Sequence, residues 1–417
     1  MSMLIIADDL SGAADCAIGF ASAGHRTVVM LDPLNAEADA DVIAVDTDTR
    51  RLSPGDAGTR TAAAFKALGA PGRRLYKKID STLRGNWAAE VAALQPLAGL
   101  AIVAPAFPAT GRTLQGGRVF VHGEPLETTA IWKLENFDRP ADVQSMLAAA
   151  GLSVARLDVE ALRDDPAELA HRIAAVAASG IQALLVDAQT SQDLLTLARV
   201  TSRMDQASFW VGSGGLAREI ATLSDLFSAG GEPDPAAMKH DAPILILVGS
   251  LSAVSERQCA MLRERGDVEE LIVPPAVLRQ GTAHPDWPAW QARIGATLAA
   301  QTDLLLRIGR DDAFDSTEGA QLSTALAALV EPHFDKAGGL IATGGETARA
   351  MLSAAGIGSL QLLAEIEAGV AVGRPLGAGR THRPGIVTKA GAFGTDHALY
   401  AAWLHLRDAV EPDTVTY

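Results

Sequence analysis

Short β-rich runs, mostly apolar, recur along the chain, separated by amphipathic stretches rich in Ala and Leu. The runs at 3–7 (MLIIA), 27–31 (TVVML), 42–46 (VIAVD), 74–79 (RLYKKI), 100–104 (LAIVA), 183–187 (ALLVD) and 209–213 (FWVGS) read as strands. Segments 57–68, 167–178 and 215–227 read as helices. Strands that stay apolar on both faces and alternate with helices predict a parallel sheet covered on each side. The pattern breaks at SAGGEPDPAAMKHDAP (228–243), rich in Gly, Pro and Asp, and restarts at ILILVGS, with further strands at 244–248, 270–273, 304–308, 339–343, 360–363 and 385–389. The expectation is an α/β protein of two parallel-sheet domains in series, 1–230 and 243–417, joined by a linker at 231–242. Its active site is expected in the cleft between them, because ligands of such sheets sit at the carboxyl ends of strands.

Composition narrows the classes of function. At 417 residues the chain exceeds one ordinary core, in keeping with two domains. Every apolar run falls short of the ~20 residues that span a bilayer, and the first ends on two aspartates, so neither a membrane span nor a signal peptide is expected. A net charge of -15 argues against nucleic-acid binding, which draws on clustered Lys and Arg; an anionic ligand would need a local basic cluster. The two cysteines, Cys16 and Cys259, form no CxxC pair, which disfavours a disulfide framework or thiolate metal site and points to a reducing cytoplasm.

Candidate chemistry gathers at strand ends. IIADDLSGAAD (5–15) is a strand ending on Asp8 and Asp9, followed by a Ser11-Gly12 turn and a helix. Two adjacent carboxylates there suit accepting a substrate hydroxyl proton or holding magnesium; the plainer alternative, capping of the helix, needs only one. In YKKIDSTLRGNW (76–87) strand alternation puts Tyr76, Lys78 and Asp80 on one face and Lys77 and Ile79 on the other, so Lys78 and Asp80 are expected to share a pocket. Ser81 and Thr82 are expected to cap a helix beginning near Gly85, while Arg84 offers a planar fork to a carboxylate; the alternative is a polar loop with an internal ion pair. DTDTRR (46–51) adds Arg50 and Arg51 at another strand end, and such a mixture fits a small hydroxylated anion. The Gly- and Pro-rich segment 104–126 is read as a loop with Arg112 and His122 as candidate substrate contacts, against a merely structural loop. No HExxH or similar spacing occurs, and metal ligands stay unassigned.

The second half carries three turns of another kind, each between a predicted strand and helix: Gly249, Ser250 and Ser252; Thr343, Gly344, Gly345 and Glu346; Lys389, Gly391 and Gly394. Glycine lets a backbone approach an anion, and helix N-termini offer free N–H groups, so three such turns predict a nucleotide site. The chain has no Gly-Lys dipeptide, which excludes a P-loop, and no GxSxG elbow. GSGGLA (212–217) matches a dinucleotide fingerprint, but the acids about 20 residues on fall in the linker, so it is discounted.

Taken in order, ADDLSGAAD, DTDTRR, YKKIDSTLRGN, APAFPATGR, GSGGLA, VGSLSAVSERQ, TGGETA and KAGAFG resemble the four-carbon acid sugar kinase family over nearly the whole chain. The resemblance implies an N-terminal domain that binds threonate, erythronate or 3-oxo-tetronate and a C-terminal domain that binds ATP. It implies that Ser252, the turn Thr343–Glu346 and Gly391 line the ATP site, and that Asp8, Asp9, Arg50, Lys78, Asp80 and Arg84 face the sugar acid. One departure is LETTAIWKLENFDRP (126–140), where family members have an Asp-Pro pair.

The reading is an ATP- and Mg2+-dependent cytoplasmic kinase of carbohydrate catabolism, acting on a terminal hydroxyl of a four-carbon acid. Asp8 or Asp9 would be the base, with Asp80 a rival; Arg50, Lys78, Arg84 and Arg112 would bind the acid. Ser250, Ser252, Thr343, Gly344, Gly345, Glu346, Lys389 and Gly391 would bind the nucleotide. The alternatives are an NAD(P)-dependent sugar-acid dehydrogenase and a non-catalytic sugar-acid sensor. The sequence leaves monomer and homodimer open.

Overall fold

The computed structural model describes residues 2–32, 40–129, 132–133, 140–223, 226–227, 242–313, 315, 318–377, 382–391 and 393–407. It divides into two compact units, Met1–Gly231 and Glu232–Tyr417. Most of the expected linker at 231–242, and most of the departing stretch 130–139, lie outside the described residues.

The first unit runs β1 (Ser2–Ala7), α1 (Leu10–Ser22), β2 (Thr27–Met30), β3 (Val42–Asp46), α2 (Pro54–Leu68), β4 (Arg73–Lys78), α3 (Trp87–Ala98), β5 (Leu100–Ala104), β6 (Arg112–Gln115), β7 (Arg118–Val121) and β8 (Glu124–Pro125). It continues with α4 (Val143–Ala149), β9 (Val154–Leu157), α5 (Pro166–Ala178), β10 (Ala183–Val186), α6 (Ser191–Thr201), β11 (Ser208–Gly212) and α7 (Gly214–Ala221). Strands pair in the order β2-β3-β1-β4-β11-β5-β10-β9, every pairing parallel. β2, β3, β5 and β10 are buried along their whole length, which is why they read as unbroken apolar runs. Because β1 lies between β3 and β4, the turns that follow these three strands emerge side by side, about 4.8 Å apart strand to strand.

Three local expectations are corrected. Segment 104–126 is not an irregular loop: β6, β7 and β8 form an antiparallel meander, and the turn at Gly116 (φ 60°) and Gly117 (φ 76°) has the positive φ values of a tight hairpin. The helix expected at 215–227 ends at Ala221. The helix expected near Gly85 begins at Trp87 with Asn86 at its cap, and Thr82 instead turns back to bond Asp80.

The second unit runs β12 (Ile244–Val248), α8 (Ala253–Arg265), β13 (Val268–Val273), α9 (Pro275–Gln280), α10 (Trp287–Ala299), β14 (Asp303–Ile308) and α11 (Gly319–Val330). β15 (Gly339–Thr343), α12 (Gly345–Ala354), β16 (Ser359–Glu367), β17 (Val370–Pro375), β18 (Gly385–Lys389) and α13 (Ala398–Arg407) complete it. The order is β13-β14-β12-β15-β18-β17-β16, parallel as far as β18, with β17 antiparallel to both its neighbours. Ile246, Leu262, Ile341, Val387, Leu399 and Tyr400 are among the buried side chains that join this sheet to α8 and α13. No helix among the described residues is long and apolar enough to cross a membrane.

Candidate functional sites

The carboxyl edge of β3, β1 and β4 gathers the charges of the first unit. Asp8 and Asp9 follow β1, Arg50 lies in the turn after β3, and Asp80 follows β4. Arg50 donates from Nε and Nη2 to Asp8 (2.8 and 3.0 Å) and from Nη1 to Asp9 (2.6 Å), and its Nη2 lies 3.8 Å from Asp80. Arg84 donates to the same Asp80 oxygen at 2.6 Å. Burial raises the pKa of Asp8, but the charge and hydrogen bonds of Arg50, together with the charges of Lys77 and Lys78, outweigh it and hold the carboxyl below its usual range. Asp80 is buried too, and Arg84 and Arg50 together hold it well below that range.

Asp9 serves two purposes. Its Oδ1 accepts the Gly12 amide (2.7 Å), capping α1, while Oδ2 takes Arg50. Capping therefore explains Asp9 and leaves Asp8 wholly to the charge cluster. Lys78 is buried, donates to the Ile79 carbonyl (3.1 Å), and packs where a Cβ on Gly12 would lie 3.2 Å from its Nζ. Gly85, at φ 80°, lets its turn close over the cluster: a Cβ there would stand 2.9 Å from Asp8 Oδ2. Arg112 donates to the Thr110 carbonyl (2.6 Å); burial pushes its pKa down, while its charge is felt by Asp80, Arg84 and Asp15. Arg51 is exposed, so only Arg50 of the pair turns inward. His122 sits at φ 51° with its amide bonded to the Gly111 carbonyl and its ring over Gly111.

Beneath the cluster lies a support that the sequence reading missed. Lys77 and Glu90 form a 2.8 Å ion pair with both side chains fully buried, and Thr49 donates to the other Glu90 oxygen. Asn86 donates to the carbonyls of Thr49 (3.1 Å), Arg50 (3.4 Å) and Leu52 (2.8 Å), pinning the turn that carries Arg50. An acid on the buried face of an otherwise apolar helix was the available signal for Glu90. The glycines of GSGGLA have a packing role: a Cβ on Gly214 would lie 2.6 Å from Asp15 and 2.9 Å from the Phe107 ring, and one on Gly215 would strike the Ala106 carbonyl.

In the second unit β12, β15 and β18 are neighbours, so their three turns also meet. A Cβ on Gly391 would lie 3.0 Å from Ser250 Oγ and 3.9 Å from the Gly344 Cα. Ser252 caps α8 by accepting the Ser255 amide (3.1 Å), and Ser250 donates to Ser252 (3.1 Å). Gly344, at φ 97°, leads into α12, whose first turn has no side-chain cap. A helix start of this kind, with Gly345 and Glu346 in its first turn, presents amides to an anion. Thr343 is fully buried at the end of β15. Lys389 differs from expectation: its buried ammonium donates to the carbonyls of Ala390 (2.9 Å), Gly391 (3.1 Å) and Phe393 (3.0 Å), which occupies all three of its N–H groups. Burial lowers its pKa to about 8.

Comparison with known proteins adds to this geometry. Residues 3–220 match a family model described as a sugar-binding N-terminal domain, and residues 245–399 match one described as a nucleotide-binding C-terminal domain. The chain is 54% identical to the D-threonate kinase of Cupriavidus necator over 99% of this chain and 100% of that one. It is 35% identical to the D-threonate kinase of Bordetella bronchiseptica over 97% of each. In fold it resembles the crystal structure of a Salmonella typhimurium protein, with a TM-score of 0.76 at 20% identity over 96% of this chain and 98% of the other.

Proposed function

This chain belongs to the four-carbon acid sugar kinase family, and on that premise we propose that it transfers the γ-phosphoryl group of ATP to a terminal hydroxyl of D-threonate in the cytoplasm. The observation that carries the reading is the cluster at the β3-β1-β4 edge, where acids and cations sit together at a sheet's ligand-binding end. Phosphoryl transfer asks mainly for positioning and charge stabilisation. Lys78, Arg84 and Arg112 would hold the acceptor's carboxylate, while Arg50, already bonded to Asp8 and Asp9, frames the acids. Asp9 is the favoured base: its side chain is 20% exposed against 2% for Asp8, and no arginine grips it with two bonds.

Among the described residues no group of three or more His, Cys, Asp or Glu is built as a metal site. Magnesium would arrive on ATP, needing one or two protein carboxylates and otherwise taking phosphate and water oxygens. The ion would offset charge on the phosphates. The Ser250, Gly344 and Gly391 turns would receive those phosphates. A dehydrogenase loses its only motif, since the GSGGLA glycines are taken up by packing.

The test is ADP release with ATP and magnesium across a panel of four-carbon sugar acids. Release is expected to be greatest with D-threonate, and to fall ~10²–10⁴-fold in kcat for Asp9→Asn with nucleotide affinity kept. No release on any four-carbon acid by a protein that binds ATP would overturn the assignment.

A further inference from the structure

Lys389 ends β18 where a phosphate-binding lysine would be expected, yet it is turned inward. Its side chain is 1% exposed, and its ammonium gathers three carbonyls of the turn that follows it. The same turn is tied from other elements. Ser255 of α8 donates to the Gly391 carbonyl (2.8 Å), Gln258 donates to the Phe393 and Thr395 carbonyls (3.1 and 2.7 Å), and Glu367 of β16 accepts the Thr395 amide and hydroxyl (both 2.9 Å).

In a trans peptide the C=O and the next N–H point in opposite directions, and no cis bond is present. Drawing the Ala390 and Phe393 carbonyls onto Lys389 therefore turns the amides of Gly391 and Gly394 away from it. Neither amide donates to any group among the described residues. Gly391 borders the Ser250 and Gly344 turns, where the nucleotide phosphates are assigned above. Outward amides on a short glycine turn make an anion-binding nest.

Resting on the nucleotide-site reading, we propose that Lys389 is a positioning residue: it never touches phosphate, but acts as an internal cation that holds the Ala390, Gly391 and Phe393 carbonyls inward so that the Gly391 and Gly394 amides face the phosphates of ATP. Its function is then to fix donor direction, in contrast to a lysine that supplies charge to the ligand. The amine form has two N–H groups instead of three and no charge, so one carbonyl is released on deprotonation.

The groups that face Lys389 electrostatically are Cys259 of α8 and Glu367 of β16. Burial raises Cys259 to about 11, so it stays a neutral thiol through the range in which Lys389 titrates. Nucleotide phosphates, with a last pKa of ~6, keep their charge there as well. Lys389 falls from 10.5 to about 8 on folding. Between these values the unfolded chain binds the extra proton, so this group's contribution to stability rises with pH while the turn loosens.

The experiment measures binding of ATP and of adenosine to the full chain from pH 7 to 9.5, with Lys389→Met alongside. Expected for the wild type is roughly tenfold or greater loss of ATP affinity through pH 8, with adenosine unchanged, as befits loss of hydrogen bonds to a charged acceptor. Lys389→Met should bind ATP at least as weakly at pH 7 as the wild type does at pH 9.5, show no such pH step, and keep adenosine. ATP affinity flat across pH in the wild type would overturn the proposal, whether or not the variant folds. So would a variant that retains wild-type ATP affinity, or one that loses ATP and adenosine in equal measure. A wild type that binds no ATP at pH 7 would instead refute the nucleotide-site reading itself.

Discussion

At the carboxyl edge of the first unit Arg50 and Arg84 are set among Asp8, Asp9 and Asp80, whereas the corresponding edge of the second unit holds Gly249, Gly344 and Gly391 with Ser250 and Ser252. The first edge is built from side-chain charge, the second from glycine backbone and small hydroxyls. Charges packed this closely must satisfy one another before any ligand arrives, so the first edge is part of what keeps the unit folded. Backbone donors need only the right φ and ψ, and they can be spoiled with little effect on the core. The comparison therefore predicts that damage at the first edge registers in stability, and damage at the second in ligand affinity.

The largest effect should come from Arg50→Met. It strands Asp8, which is 2% exposed, removes the arginine that bonds both Asp8 and Asp9, and leaves Asp8 to the charges of Lys77 and Lys78. A cost of about 3–5 kcal/mol in urea unfolding is expected, with partial recovery in Arg50→Lys, which keeps the charge but not the fork. Unfolding unchanged in the methionine variant would remove the distinction between the two edges.

A matched pair of glycine substitutions sharpens it. Gly85→Ala forces a Cβ toward Asp8 Oδ2 at φ 80°, and Gly344→Ala places one at φ 97° beside the second-unit turns. Each carries about 1–2 kcal/mol of backbone strain. Gly344→Ala should weaken ATP severalfold and spare the KM for the acid, while Gly85→Ala should do the reverse; equal effects on both substrates from either variant would count against separate sites.

The smallest effect is in acid. Asp8 and Asp80 both lie below the ordinary carboxylate value of 3.8 when folded, so the stability they lend is fully present above that value and is lost as pH falls through their folded values. A melting-temperature series from pH 7 to 3 should therefore turn down at its acid end, and Asp80→Asn should flatten part of that slope. A downturn identical in the variant would assign it to other groups.

Much of this was legible in the sequence because strands buried on both faces announce themselves as apolar runs, and their ends mark where loops carry chemistry. Side-chain partners were less legible. Arg50 was read as a grip for the substrate, yet it bonds Asp8 and Asp9 across 41 or 42 positions, a pairing that exists only because β1 inserts between β3 and β4. Lys389 was read as a cofactor contact because it stands with Gly391 and Gly394 in a turn between a predicted strand and helix. The meander at 112–125 was passed over although its Gly-Gly turn was visible, because its strands are at most four residues long and β6 (RTLQ) and β8 (EP) lack an apolar run. Glu90 and Asn86 were passed over for a similar reason, since helix α3 reads as apolar packing.

The Lys77–Glu90 pair carries one more consequence. Lys77 precedes Lys78 and sits three positions before Asp80, so slipping β4 by one residue would swing Lys77 to the opposite face and abandon Glu90, fully buried, without a counter-charge. The misaligned pairing is penalised in the core rather than at the edge where the chemistry lies. The two positions are thus expected to be inherited together: a descendant that replaced either one alone would carry an unmatched buried ion, and one that replaced both with apolar residues would fold yet lose the device that keeps Lys78 and Asp80 in alignment.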